Sequence, residues 1–267
     1  MGTEPAEATN SDDLSEPIKR SALQFLQKGC IAIVYRIKSQ PALVIKIQDA
    51  TYHQNEKRVY EKLGRHPRIS AFYGEAAVQQ IGDLPSPGLL FGLVPNGTLR
   101  EPLRARPGNL LPSVQGKWSA QLLDGLSYIH SRSVIHGDFG VHNVLVGLDW
   151  GLVITDFAGS RLDGSPCLTG PSPAYRRPTL LLPPDAPGPW EPTERDDIYA
   201  FGTVLYEMIQ GALLYRAITR DSVLTSFTAG LYLDLSGMLA LPRSIVLGCW
   251  KCQYSSARKV AGALGLS

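Results

Sequence analysis

The chain has 267 residues, a formal net charge of +2 and 44% hydrophobic residues, enough for one large domain or two lobes around a real core. So balanced a charge excludes a sustained basic surface for nucleic acid, and no apolar run reaches the length of a membrane span. Cys249 and Cys252 form a close cysteine pair, but no second pair completes a zinc site, and they read as helix residues of a reducing compartment.

Residues 1–19 are acidic, polar and poor in aromatics, and read as a disordered arm. They hold no apolar leader, and Ala6 stands where a myristoylation pattern after Met1-Gly2 needs Ser or Thr. Three strand-like runs follow, L-Q-F-L-Q-K, I-A-I-V-Y-R-I and A-L-V-I-K-I, broken by Gly29 and Pro41. Lys46 interrupts the third; a lone lysine in a strand is ordinarily a solvated residue. His53 to Leu63 has helical periodicity, with Glu56, Tyr60 and Leu63 on one face and Gly64 as its stop. Glu56 is the acid placed to pair with Lys46; Glu61, the rival, lies round the helix. The runs I-S-A-F-Y-G and G-L-L-F-G-L-V predict two further strands, and P-N-G-T-L turns the chain out of them. Val114 to Ser131 predicts an amphipathic helix with Trp118, Leu122, Leu126 and Ile129 inward.

The next stretch, His136 to Gly159, concentrates the chemistry. Asn143 opens the apolar run V-L-V, Asp156 closes the run L-V-I, and Asp-Trp-Gly between them signals a turn. A hairpin so short sets Asn143 and Asp156 at the same end, where a carboxamide and a carboxylate suit a hard cation such as Mg²⁺. Asp138 is then placed to take a proton from a hydroxyl, and together these are the parts of phosphoryl transfer. His136 reads as a core residue bonding backbone, and His142 as a loop-surface histidine. From Gly159 to Pro192 the chain is rich in Gly, Pro and Ser. Thr193 or Glu194 then begins a core helix lined by Ile198, Phe201, Leu205 and Met208 and ended by Gly211, with Asp197 capping it and bonding the preceding loop. Short helices are predicted near 220–229, 242–251 and 255–264. The fold class is α+β, a β-rich lobe followed by a helical one.

In its order of motifs the chain resembles a eukaryotic-type protein kinase over residues 20–265. L-V-I-K resembles the V-A-I-K strand, N-E-K-R the partner helix, F-G-L-V-P-N-G-T-L the hinge, H-G-D-F-G-V-H-N the catalytic loop, D-F-A the D-F-G turn, P-S-P-A-Y-R-R-P-T the segment ending in A-P-E, and D-I-Y-A-F-G the core-helix motif. The wording is similar to divergent kinases of filamentous fungi. The resemblance implies a two-lobed fold: N-lobe 20–93, hinge 92–97 and C-lobe 98–265. It also implies ATP and Mg²⁺ as cofactors, and a protein Ser/Thr hydroxyl as acceptor. Asp138 would be the base, Lys46 would grip phosphate with Glu56 behind it, and Asn143 and Asp156 would hold magnesium. Gly29 would approach the phosphates, Phe91 would be the gatekeeper, the Val94 backbone would meet adenine, and Val34, Val44 and Leu145 would sandwich the ring. Ser172, at the position of the Thr that marks Ser/Thr kinases, would contact Asp138. The expected protein is an intracellular, cytoplasmic monomer, with the nucleus left open.

The departures from the family pattern shape the expectation. Gln27 and Ala32 replace the outer glycines of the phosphate loop, which implies a weaker nucleotide hold. Gly137 replaces the catalytic-loop arginine, which implies no phosphate-reading pocket. Gly140 stands where Ser/Thr kinases carry a lysine, and His142 sits where some tyrosine kinases carry an arginine. Ala158 should stiffen the turn after Asp156, Thr179 replaces the glutamate of a late ion pair, and the spacing from Lys46 to Glu56 implies a partner helix shortened at its start. These departures keep two alternatives open: a pseudokinase that binds nucleotide or partners only, and a small-molecule phosphotransferase sharing H-G-D-x-x-x-x-N.

Overall fold

The computed structural model describes residues 16–79, 86–105, 110–177, 191–210, 235 and 238–266. Of the arm expected at 1–19, residues 1–15 lie outside the described residues, as do Thr179, Gly211 and the helix expected near 220–229. The end of that arm is corrected: Ile18 is buried in the core and pairs with Val78. The chain divides into two compact units: residues 1–53 with 71–93, and residues 54–70 with 94–267.

The first unit is an antiparallel sheet of β1 (Leu23–Lys28), β2 (Ala32–Ile37), β3 (Leu43–Gln48), β4 (Phe72–Val78) and β5 (Ser86–Gly92), in the order β1-β2-β3-β5-β4. Period-two alternation sorts its side chains onto two faces, one of which carries an apolar cluster. Leu23, Ile37, Leu43, Ile45, Ala76, Val78 and Leu90 cluster on that face, and Ile18 packs against them after pairing with Val78. The opposite face follows from the register. Val34 pairs with Lys46, Val44 with Phe91, and Lys46 with Leu89, so these side chains share one side of the sheet.

Helix α1 (Ala50–Leu63) begins in the first unit and belongs to the second from Gln54 onward. It starts three residues before the His53 read from periodicity. Asp49 is the reason: its Oδ1 accepts the Thr51 N–H at 2.9 Å and its carbonyl accepts the His53 N–H at 2.9 Å. The strand expected from Ile69 is displaced as well. Ile69 bridges Ile154 and the Ser70 N–H bonds the Ile154 carbonyl, so pairing with β5 begins only at Phe72.

The second unit is helical. After the short α2 (Arg100–Ala105), α3 (Pro112–Ser131) packs against α4 (Glu194–Gln210), with α5 (Ala240–Trp250) against α4 and α6 (Ala257–Ala263) against α3. Trp118, Leu122, Leu126 and Ile129 of α3 are all buried, the face the sequence predicts. Two short ribbons lie beside α3: β6 (Val134–Ile135) with β9 (Arg161–Leu162), and β7 (Val144–Val146) with β8 (Leu152–Ile154). Among the described residues, no helix is long and apolar enough to cross a membrane.

Candidate active site

On the sheet of the first unit, Lys46 is buried, Val44 and Phe91 are buried, and Val34 is half-buried. The Phe91 ring lies 5.5 Å from Phe72, which fixes its place on that face. Gly29 closes the β1–β2 turn through its N–H to the Ala32 carbonyl at 2.8 Å. A Cβ there would meet that oxygen at 3.6 Å, an ordinary contact, so this turn does not itself demand glycine.

In the second unit the sequence around Asp138 is held from three sides. Asp197, with 1% exposure, accepts the His136 N–H at 2.9 Å and the Gly137 N–H at 3.0 Å, and also faces His130 Nε2 at 2.9 Å. Buried His136 sets its Nε2 3.0 Å from the Thr155 carbonyl and packs on the Phe157 ring, as its sequence reading expects. Gly137 adopts φ +77°, a conformation that an arginine there would hold only under strain.

The β7–β8 ribbon places Asn143 and Asp156 as the hairpin reading requires. Val144 pairs with Ile154, and the Thr155 N–H bonds the Asn143 carbonyl at 3.0 Å. Asn143, with 6% exposure, donates Nδ2 to the Asp138 carbonyl at 2.9 Å, which leaves its Oδ1 to serve as an oxygen ligand. Asp156 stands at φ +64°. That costs on the order of 1 kcal/mol or more for a residue other than glycine, and the neighbours supply the compensation. Asn55 of α1 donates to the carbonyls of Ala158 at 3.0 Å and Ser160 at 2.9 Å, Ser160 Oγ donates to the His136 carbonyl at 2.9 Å, and Tyr60 meets Phe157 edge-on. Leu145 points away from buried Val144 and Val146 and is half-buried. Among the described residues, no group of three or more His, Cys, Asp or Glu side chains could hold a metal. Asn143 and Asp156 fit a hard cation that completes its shell with phosphate oxygens or water, as magnesium does.

Asp138 is at the centre of these contacts. Its Oδ1 accepts the Ser172 N–H at 2.6 Å, and its Oδ2 lies 3.3 Å from His142 Nε2 and 3.4 Å from Asn143 Nδ2. Burial alone pushes the Asp138 carboxyl up. The His142 hydrogen bond and proximity, the Ser172 N–H and His136 outweigh it and hold the group below the usual carboxylate range. The carboxylate is therefore ionised and partly open, at 27% exposure. Ser172 reaches it through its backbone, while Ser172 Oγ lies 3.2 Å from His142 Nε2.

Two features were not read from the sequence. His142 is not a surface residue: it is 18% exposed, and its ring packs 5.3 Å from Tyr175. Arg177 makes a paired contact with Asp196 of α4, Nε to Oδ1 at 2.8 Å and Nη2 to Oδ2 at 3.3 Å, and Asp196 also takes the Thr193 N–H and hydroxyl. An arginine followed by a helix that opens with two aspartates is the signal for it. Glu56 is buried on α1 at 1% exposure, and Glu61 is exposed beside Lys57.

Residues 26–259 match the family described as protein tyrosine and serine/threonine kinase. Among curated relatives, the leaf rust 10 disease-resistance locus receptor-like protein kinase-like 1.2 of Arabidopsis thaliana is 29% identical over 219 residues, 76% of this chain and 31% of the relative. Fibroblast growth factor receptor 1 of Dugesia japonica is 27% identical over 201 residues, 68% of this chain and 22% of the relative. The Aurora kinase of Schizosaccharomyces pombe is 29% identical over 196 residues, 72% of this chain and 47% of the relative. The matched stretch of this chain thus corresponds to a fifth to about half of these relatives.

Proposed function

The chain belongs to the eukaryotic-type protein kinase family, and we propose that it transfers the γ-phosphoryl group of ATP to a Ser or Thr hydroxyl of a protein. One observation carries the reading: an ionised Asp138 carboxylate, fixed by the Ser172 N–H, stands beside an Asn143 amide whose oxygen is left for a metal. In the proposed reaction an Asp138 oxygen takes the proton of the acceptor hydroxyl as that oxygen bonds the γ-phosphorus. The bond to the β-phosphate oxygen breaks and ADP leaves. Asn143 and Asp156 would hold Mg²⁺, which screens the charge of the phosphate chain when bound. Lys46 would supply a cation to the α- and β-phosphates. Val34, Val44, Phe91, the Val94 backbone and Leu145 would receive adenine. The matched family covers tyrosine and serine/threonine kinases alike. The Ser/Thr preference rests on Ser172 touching both Asp138 and His142.

The test is transfer of labelled phosphate from Mg-ATP to peptides bearing Ser, Thr or Tyr, with thermal melting in parallel. Wild type should phosphorylate Ser or Thr peptides, and D138N should lose about 100-fold or more of the rate. Both proteins should melt higher with Mg-ATP, because a ligand of the native state stabilises it by mass action. Stabilisation without transfer in wild type would leave a nucleotide-binding pseudokinase, and neither response would overturn both readings.

A further inference from the structure

His142 carries an inference beyond the family assignment. Its ring fills the space above Gly140: a Cβ at that glycine would lie 2.6 Å from His142 Cε1, 2.9 Å from His142 Nδ1 and 2.8 Å from Tyr175 Cε2. Any side chain at 140 and this ring position are therefore mutually exclusive. The ring is wedged against Tyr175, and from there Nε2 faces two oxygens, Asp138 Oδ2 at 3.3 Å and Ser172 Oγ at 3.2 Å. Nδ1 is buried with no hydrogen-bond partner among the described residues. A proton on Nδ1 would be a buried donor without an acceptor, whereas a proton on Nε2 meets an ionised carboxylate. Hydrogen-bond geometry thus assigns the proton to Nε2.

We propose that His142 is a positioning residue for phosphoryl transfer, its Nε2–H holding Asp138 Oδ2 while the Ser172 N–H holds Oδ1. The proposal rests on Asp138 as the base. It casts His142 as a hydrogen-bond donor and not as a phosphate clamp. Two donors on the two carboxylate oxygens fix the side-chain rotamer, so the base meets each acceptor hydroxyl in one orientation. Misplacement of a reacting group by about 1 Å costs on the order of 100-fold in rate. Through Ser172 the same nitrogen also ties the loop holding Asp138 to the segment that follows.

The experiment compares His142→Ala and His142→Gln with wild type, with D138N as the background. The Gln amide N–H reaches about as far as Nε2, so it keeps the donor without the ring. In H142A, kcat should fall about 10- to 100-fold with KM for ATP changed less than about two-fold, and H142Q should recover most of the loss. Melting temperatures identify any variant that fails to fold. In protein labelled with ¹⁵N-histidine, His142 should show the Nε2-protonated tautomer, and its Nε2 resonance should move in D138A. Wild-type kcat in H142A, equal loss in folded H142Q and H142A, an ATP KM that rises as kcat stays, or an Nδ1-protonated ring would each overturn the proposal. Wild type at the D138N background would overturn the Asp138 reading itself, and this one with it.

Discussion

Gly140 and Tyr175 set the geometry of the site without entering its chemistry. The space a methyl group would need at 140 is taken by the His142 and Tyr175 rings, so Gly140→Ala should displace His142 and lower transfer, with a stability loss of about 1–3 kcal/mol by urea unfolding. Tyr175 donates its hydroxyl to Glu207 Oε2 at 2.8 Å in a buried contact. Burial first, then the Glu207 charge and hydrogen bond, raise the Tyr175 phenol well above its usual value. The folded state thus favours the neutral phenol. Its contribution to stability is complete below the unfolded value near 10 and is lost as pH rises through the folded one. Stability of wild type should therefore decline above about pH 10 more steeply than that of Tyr175→Phe, measured by urea midpoints across pH. His136 and Asp197 were legible because their partners are backbone groups that the loop must satisfy. His142 was not, because its burial depends on Tyr175, a ring from a distant part of the chain, and no local pattern encodes that contact.

At the level of elements, strands and long helices were legible from periodicity, and the errors fall where side chains or tertiary pairing override it. Helix α1 begins early because Asp49 caps it, and β4 begins late because Ile69 is taken by β8. Helix α1 also fixes the turn that presents Asp156. A single amide, Asn55 Nδ2, satisfies two carbonyls there. Asn55→Ala should cost about 1–3 kcal/mol in chemical denaturation and lower kcat as the turn loosens. The α4–α5 contact is equally specific. A Cβ on Gly202 would come within 2.6 Å of Cys249 Cβ, and Trp250 Nε1 reaches Thr203 Oγ1 at 3.1 Å beside it. Helix geometry would welcome alanine at 202, yet Gly202→Ala should lower stability, because the helices are already at contact distance.

Across the molecule, the second unit holds the stretch from Gly159 to Arg177 with several contacts that involve no phosphate, although Arg176 Nε is buried without a hydrogen-bond partner among the described residues. Cys167 Sγ lies 2.8 Å from the Gly159 carbonyl, and the Leu168 N–H donates to that same oxygen at 3.1 Å. Ser172 is fixed to Asp138, Tyr175 to Glu207, and Arg177 to Asp196, whose side chain is 5% exposed. The missing catalytic-loop arginine fits this arrangement: the backbone at Gly137 is shaped for glycine, and Asp197 holds its N–H. The Y-R-R-P stretch carries an ion pair, Arg177 to Asp196, that involves no phosphate. Removing the arginine leaves the Asp196 carboxylate held by the Thr193 N–H and hydroxyl alone, and with Arg177 itself 21% exposed the cost is about 1–3 kcal/mol. Arg177→Ala should therefore unfold at lower urea and lose transfer. Phosphatase-treated wild type and Thr169→Val should each keep transfer within about two-fold of the untreated protein, since no phosphate-dependent contact is being removed. Loss of transfer after phosphatase, restored by rephosphorylation, would show that the ion pair alone does not hold the segment in its working shape.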